Sequence, residues 1–334
     1  MRAPLALAAF SLVISGALVA QTPPPAQPGI LGPKLAAKSM AAEAIPGVVA
    51  AGEPITLIHD GLPGADGIVG MPDGTAVFIE QNSPRIVRIN LDDTLTTLLP
   101  DSPGARALGV DSRGRLLGLM LSTPAGKADH LRVLYPAGSA AVLATEVGGK
   151  PLFQANDFVV TKRDGVYMTD AGTLMKPAGT EPTSIYYLPK EGTPRRVAEG
   201  IVMPNGIALS PDDRTLYVND SRGDHLVGFD VQADGGLTNR RNVAAYQITD
   251  EMRKTFAYQA DGLCVDADGR IYVAMPLSVQ VFSPAGAFLG RIPLTKKMQN
   301  LAFAGKDRRS LYMVSQGSIW KMRTLAHGPL DRAK

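Results

Sequence analysis

A short pattern of apolar and polar positions recurs along the chain from residue 54 onward. Each copy has an apolar run, a turn rich in Asp and Gly, and a second apolar run, which together are typical of a β-hairpin. No long segment in this part shows a helical period. The copies begin at Gly67, Leu108, Asp157, Gly206, Gly262 and Leu301. Their spacing of about 40 to 56 residues is that of propeller blades.

The residues after each hairpin predict a third strand and a weaker fourth strand. The pattern therefore predicts an all-β fold, a six-bladed β-propeller with four-stranded antiparallel blades, over residues 54–325. The sixth copy runs out of chain after residues 318–322 and lacks an outer strand. Residues 54–59 are expected to supply that strand and close the ring, which removes an exposed edge. An open sandwich is the alternative, and the regular repeat argues against it.

The N-terminal residues form a separate part of the chain. A positive start followed by an apolar stretch and small residues predicts a secretory signal peptide over residues 1–20. A membrane anchor is the alternative, but the stretch is shorter than the ~20 residues of a spanning helix. Residues 21–53 read as a Pro/Ala-rich linker, and residues 326–334 as a tail. We expect a periplasmic or secreted protein, with no stable membrane insertion after cleavage.

Composition narrows the class further. The chain is 45% hydrophobic, which excludes wholesale disorder. Its 34 Lys and Arg against 31 Asp and Glu give a net charge of +3, spread along the chain, so no nucleic-acid partner is expected. Cys264 is the single cysteine, which excludes intrachain disulfides and multi-cysteine zinc sites.

One position, just before the inner strand of each blade, carries polar residues in every copy. The six residues are Asp66, Arg106, Asn156, Asn205, Asp261 and Asn300. Inner strands line the axis of a propeller, so these side chains should meet at one mouth of the channel. Two explanations are open. Asp and Asn favour the turns before strands, which suffices for Asn300. Alternatively, the position forms a cation site.

A cation site would combine two carboxylates with two amide carbonyls. The expected ligands are Asp66, Asn156, Asn205 and Asp261. This hard-oxygen set suits Ca²⁺, Mg²⁺ or Mn²⁺, with water in the remaining positions. Without a cation, the two converging carboxylates would repel each other, and one would tend to take up a proton.

Three motifs carry a resemblance to a known family. PNGIALSPDDRTLYVNDS at 204–221, ADGLCVDADGRIYVA at 260–274 and ANDFVV at 155–160 resemble motifs of the senescence-marker-protein/gluconolactonase/luciferin-regenerating-enzyme family. The resemblance extends over roughly residues 66–322. It implies a six-bladed propeller with a divalent cation on the axis. Many family members hydrolyse lactones of sugar acids.

The resemblance also assigns roles to individual positions. Asn156 and Asn205 match metal-binding Asn residues, and Asp261 matches a ligand also proposed as a general base. The first-blade ligand of the family is usually Glu, whereas this chain has Asp66, one methylene shorter. Asp66 reaches directly, binds through water, or is assisted by Glu80. Gln154 stands where some sugar lactonases carry a substrate-binding Arg, so the substrate stays open.

These inferences together predict a metal-dependent hydrolase that opens a lactone or similar ester with activated water. Asp261 would accept the proton. Arg106 holds a substrate carboxylate or the oxyanion, or it forms a salt bridge with neighbouring carboxylates. Ca²⁺ is the first expectation for the cation, with Mg²⁺, Mn²⁺ or Zn²⁺ as alternatives. The alternative function is a non-catalytic, metal-containing propeller that binds a small molecule or a protein.

Overall fold

The computed structural model describes residues 38–121, 129–152, 154–171, 183–257 and 259–332. The signal peptide predicted for residues 1–20, the first part of the predicted linker and the last two residues of the predicted tail lie outside the described residues. The expectations for those segments stay predictions.

Six sheets, each running outward from an inner strand, account for nearly all regular structure. Blade 1 consists of β3 (Ala65–Gly70), β4 (Ala76–Glu80), β5 (Arg85–Ile89) and β6 (Leu95–Leu99). Blade 2 consists of β7 (Ala105–Val110), β8 (Leu116–Met120), β9 (His130–Tyr135) and β10 (Ala141–Ala144). A two-stranded ribbon follows, formed by β11 (Glu146–Val147) and β12 (Lys150–Pro151).

The next three blades repeat this arrangement. Blade 3 consists of β13 (Ala155–Val160), β14 (Val166–Asp170), β15 (Ser184–Leu188) and β16 (Arg195–Glu199). Blade 4 consists of β17 (Pro204–Leu209), β18 (Thr215–Asp220), β19 (His225–Val231) and β20 (Leu237–Ala245). Blade 5 consists of β21 (Leu263–Val265), β22 (Ile271–Met275), β23 (Ser278–Phe282) and β24 (Phe288–Pro293). One short helix, α1 (Asp250–Thr255), precedes blade 5, and Thr249 caps it by accepting from the backbone N–H of Met252 at 3.2 Å.

Blade 6 joins the two ends of the propeller. Its strands, from the axis outward, are β25 (Met298–Ala304), β26 (Ser310–Ser315), β27 (Ser318–Arg323), β2 (Pro54–Asp60) and β1 (Lys38–Ala41). Strand β2 pairs antiparallel with β27, with Leu57 opposite Trp320. The predicted closure by residues 54–59 is confirmed, as are the all-β class and the six-bladed architecture.

The core lies between the blades rather than within one layer. Six buried clusters occupy the six interfaces between consecutive blades in the described residues. Successive residues of an inner strand enter different clusters: Ile207 and Leu209 pack towards blade 3, whereas Ala208 packs towards blade 5. Both faces of each sheet are therefore buried, which explains why the strands read as continuous apolar runs.

The folded body extends beyond the boundaries that the sequence pattern predicts. Strand β1 and the buried residues Ile45, Val48 and Val49 belong to the segment assigned to a linker, and they cover the outer part of the interface between blades 5 and 6. In the segment assigned to a tail, Arg332 is buried and forms an ion pair with Asp213. Both segments pack against the edges of the propeller, and their own composition does not predict this packing.

The two ends of the propeller differ in chemistry. The inner strands begin at one end of the propeller, where the polar ring position lies. At the other end, a turn connects each inner strand to the second strand of its blade. At that opposite end, aspartate side chains stabilise the turns: Asp266, for example, accepts hydrogen bonds from the backbone of Asp268 and Arg270. No helix among the described residues is long and apolar enough to cross a membrane.

Candidate active site

Irregular starts of the inner strands position the ring residues. Five inner strands shift register near the site end, between Asp66 and Val69, Ala105 and Ala107, Ala155 and Phe158, Pro204 and Ile207, and Met298 and Asn300. A bulge adds a residue and turns its side chain out of the regular alternation. The ring side chains therefore leave the two-residue pattern that would bury them between blades.

Glycines directly after ring residues allow neighbouring strands to approach. A Cβ at Gly206 would lie 2.4 Å from the carbonyl oxygen of Asp261 and 2.7 Å from the Cα of Gly262. The backbone N–H of Gly206 donates to the carbonyl of Asp261 at 3.2 Å. The Asn219 side chain donates to that same carbonyl at 2.6 Å. Blades 4 and 5 thus share backbone contacts at the residue that carries the site.

We expect Gly206→Ala to destabilise the protein by about 1–3 kcal/mol, because its new methyl group meets backbone that cannot yield locally. The substitution should also displace Asp261 and thereby slow the lactone hydrolysis that the sequence predicts, because the rate of such a reaction depends on sub-ångström placement of the reacting groups. Thermal unfolding and kcat measure the two effects. Gly138→Ala is the matched control, since nothing lies within 4 Å of a Cβ there. Equal effects of the two substitutions would contradict this account.

Asp261 lies among four charged groups. Its side chain is 22% exposed, and the Lys297 ammonium lies 3.9 Å from its Oδ2. Burial raises the pKa of the Asp261 carboxyl from 3.8 to about 7, and the charge of Asp66 adds to that rise. Lys297 and Arg106 oppose the rise, whereas Asp157 reinforces it. A carboxyl with this pKa can both accept and donate a proton near neutral pH.

This pKa links protein stability to pH. Between pH 3.8 and about 7 the folded carboxyl binds more protons than the unfolded one, so stability falls as pH rises through that window and is level above it. We expect metal-free wild-type protein to lose stability relative to Asp261→Asn between about pH 4 and pH 7. Urea unfolding in the presence of chelator, at a series of pH values, measures the difference. A difference that does not change with pH would contradict the assignment.

Asp66 is held by hydrogen bonds to both carboxylate oxygens. Its Oδ1 accepts from the backbone N–H of Gly67 at 2.7 Å, and its Oδ2 accepts from Gln81 Nε2 at 2.7 Å. Glu80, considered as an assisting ligand, is buried and binds the Arg85 guanidinium at 2.5 Å instead. The structure therefore brings Asp66, and not Glu80, into electrostatic reach of Asp261.

The ring residues Arg106, Asn205 and Asn300 also take part in hydrogen bonds that fix their positions. Arg106 donates from Nε to Asn156 Oδ1 at 3.3 Å and forms no salt bridge with a carboxylate of the described chain. Asn205 is buried in β17, directly before the Gly206 that contacts Asp261, and Thr169 donates to its carbonyl at 2.7 Å. Asn300 lies within β25, and its Oδ1 accepts from the backbone N–H of Leu301 at 2.9 Å, the same local contact that Asp66 makes with Gly67.

Three residues near the site had no signal in the repeat. Asp157 follows a ring residue, Gln81 directly follows blade 1's second strand, and Lys297 lies in the connection that enters blade 6. Gln81 and Lys297 occupy other positions of their blades, so comparison of equivalent positions does not find them. The sequence pattern places Asp157 within a strand and does not indicate that it is near the site. In the structure its carboxylate accepts from the N–H of Phe158 at 2.8 Å and acts on the pKa of Asp261.

The donor chemistry of the ring fits a hard divalent cation. No group of three or more His, Cys, Asp or Glu side chains is placed to hold a metal within the described ranges. The ring instead combines carboxylates of Asp66 and Asp261 with carboxamides of Asn156 and Asn205. The Arg106 bond uses one lone pair of the Asn156 oxygen and leaves another. The negative charge of Asp66 raises the pKa of the Asp261 carboxyl, and a bound cation would offset this repulsion between the two carboxylates.

The fold and the ring define a six-bladed propeller with a polar, carboxylate-bearing site at one end of its axis. The chain belongs to the SMP-30/gluconolactonase/LRE-like family, whose model matches residues 53–317. This confirms the family that the motifs at 155–160, 204–221 and 260–274 resemble.

Individual relatives are distant. A gluconolactonase of Zymomonas mobilis is 24% identical over 198 residues, which make up 56% of this chain and 55% of that protein. The matched region thus spans about half of that relative. The solved structure of a gluconolactonase from Xanthomonas campestris has a TM-score of 0.73 at 24% identity, over 89% of this chain and 100% of that one. A calcium-binding protein, regucalcin from Agrobacterium tumefaciens, has a TM-score of 0.61 at 19% identity, over 81% and 95%.

Proposed function

We propose that the ring site opens lactones by water attack, giving the hydroxy acid. The observation that carries the proposal is the placement of the Asp261 carboxyl, which interacts with the charges of Asp66 and Arg106 and lies 3.9 Å from the Lys297 ammonium. Family membership and the gluconolactonase relatives support lactones as the substrate class. Gluconolactone and related sugar-acid lactones are the first candidates.

Asp261 would act as the base and then as the acid. Its carboxylate takes a proton from the attacking water, whose oxygen adds to the lactone carbonyl carbon. When the ring C–O bond breaks, the proton returns to the leaving alkoxide. The pKa of about 7 is that of the cation-free carboxyl; a bound cation would lower it and keep Asp261 in the carboxylate form that accepts the proton. Water is consumed and no other reactant is required.

Arg106 and Lys297 would stabilise the negative charge that develops on the carbonyl oxygen. Arg106 is fixed by its bond to Asn156, and Lys297 lies 3.9 Å from Asp261. Positioned cationic donors favour a tetrahedral oxyanion over the neutral ground state. The same two groups can orient a substrate that carries a carboxylate.

A divalent cation is part of the proposal. Asp66, Asn156, Asn205 and Asp261 would hold it, and when bound it polarises a carbonyl and lowers the pKa of coordinated water. The hard-oxygen donor set and the calcium-binding regucalcin structure support Ca²⁺ as the first choice. Mg²⁺, Mn²⁺ and Zn²⁺ are the alternatives.

The test is acid release from a panel of aldonolactones, aliphatic lactones and open-chain aryl esters. We expect turnover of at least one lactone class, with open-chain esters slower. The absence of turnover on every lactone, in protein that binds Ca²⁺, would favour the non-catalytic alternative.

Cation dependence is tested on the same panel. We expect chelator to reduce turnover at least about tenfold and added Ca²⁺ or Mn²⁺ to restore it, because the cation would stabilise the transition state by several kcal/mol. Retained turnover in protein shown by elemental analysis to be free of metal would contradict the cation's role while leaving lactone opening intact.

We further propose that the protein acts in the periplasm or outside the cell. The apolar, small-residue N-terminus over residues 1–20 supports this. Mass spectrometry of the protein recovered from fractionated cells should find a chain beginning near residue 21 in the exported fraction, and an uncleaved cytoplasmic chain would contradict export.

A further inference from the structure

The end of the propeller opposite the ring holds a cavity of about 440 Å³. Turns of blades 1, 2 and 6 line it together with the C-terminal residues 330–332. Its volume is within the range of small-molecule sites, roughly 300–1,000 Å³. It shares no lining residue with the ring site and has no part in the proposed lactone chemistry.

Arg308 is the unusual residue of this cavity. It is only 8% exposed, and the one side-chain hydrogen bond that it makes among the described residues runs from Nη1 to the carbonyl of Phe303 at 3.3 Å. Asp73 is the carboxylate close enough to influence it, and Asp73 binds Arg88 at 2.9 Å. A guanidinium presents five N–H donors and stays charged, and buried charges are normally paired. The cavity is where the remaining donors of Arg308 can find a ligand.

The backbone of Arg308 is also exceptional within the repeat. The turn position that it occupies in blade 6 is left-handed in all six blades, with φ of 54° at Arg308. The corresponding residues of the other blades are Gly74, Gly114, Asp164, Asp213 and Gly269. Gly, Asn and Asp tolerate this conformation, whereas a long side chain pays for it. An arginine placed there at a local cost, with its charge buried against a cavity, points to a ligand.

The other charged groups of the cavity leave it positive. Arg113 and Lys306 are exposed cations at its rim. The lining carboxylates are already bound by cations outside the cavity, since Asp111 binds Arg115 at 2.7 Å and Asp331 binds Lys162 at 2.8 Å. The lining cation Arg332 is neutralised by Asp213. Arg113, Lys306 and Arg308 therefore supply the uncompensated charge.

We propose that this cavity is a binding site for a small phosphate-type oxyanion, either inorganic phosphate or a phosphate monoester. The planar guanidinium of Arg308 can bind two oxygens of such a group at once. Arg113 and Lys306, which line the same cavity, add the second and third positive charges that a dianion attracts.

The test is calorimetric titration of the full chain with inorganic phosphate and, separately, with glycerol phosphate, in a buffer free of other oxyanions. We expect saturable binding with one site per chain. Arg308→Met should weaken it at least about tenfold, as expected for loss of a charge-assisted bidentate contact. Tighter binding of glycerol phosphate would identify a monoester as the ligand, and tighter binding of inorganic phosphate the free ion.

Two further variants keep the result decisive. Arg113→Met combined with Lys306→Met removes exposed side chains, so the fold should survive and phosphate affinity should still fall. Arg214→Met is the matched control, because Arg214 lies in the blade 4 turn at the same end, is 87% exposed and does not line the cavity. The proposal is overturned if the wild-type protein binds neither probe. It is also overturned if Arg308→Met and the double variant both bind phosphate as tightly as the wild-type protein does.

Discussion

Asp261→Asn is expected to reduce kcat/KM for lactone hydrolysis by about a thousandfold, within the range for loss of a general base. Asparagine preserves the size of this partly exposed side chain but cannot take a proton from water. The effect should lie mainly in kcat, since the proton transfer belongs to the transition state.

Asp268→Asn is the matched control for this substitution. Asp268 is in the same blade but at the opposite end, and its side chain is 68% exposed. Its replacement should leave turnover within about twofold, as for surface changes away from a site. Calcium titration of Asp261→Asn distinguishes loss of the base from loss of a ligand. A variant that retains a tenth or more of wild-type turnover would contradict the role assigned to Asp261.

The second large effect concerns closure of the ring. Ile58→Asp should destabilise the protein by about 4 kcal/mol or more, because it buries a charge without a partner. Ile58 is 1% exposed on β2 and packs in the cluster between blades 6 and 1. A loss of this size lowers the melting temperature by roughly 10 °C.

Val142→Asp provides the comparison, since Val142 lies on the outer strand of blade 2 and is 56% exposed. The same chemical change there should cost less than about 0.5 kcal/mol. Thermal unfolding of both variants at equal concentration measures the difference. Similar melting temperatures would show that β2 is not needed to hold blade 6 against blade 1.

The propeller could be predicted because each blade is local in sequence. A hairpin such as β17–β18 is fixed by its apolar runs and its turn, and the number of copies then gives the architecture. Closure was predictable for a related reason, since blade 6 lacked a strand and residues 54–59 had no other partner. Strand β1 was not predictable, because its pairing depends on the edge that β2 offers only after closure.

The site was predictable only in part. Asp66, Asn156, Asn205 and Asp261 share one position of the repeat, which suffices to place them at one end of the axis. Lys297 lies in the connection that enters blade 6, and Gln81 directly follows the second strand of blade 1. Their contacts with Asp261 and Asp66 depend on how closely neighbouring blades approach each other. The pKa of Asp261 follows from that approach and from burial, neither of which the sequence expresses.

The most direct measurement is anomalous diffraction from a crystal soaked with Mn²⁺ at neutral pH. The account predicts one strong peak between Asp66, Asn156, Asn205 and Asp261, with oxygen ligands at about 2.0–2.6 Å. A peak only at another place on the protein, or none in crystals of active protein, would contradict the claim that this ring holds the cation.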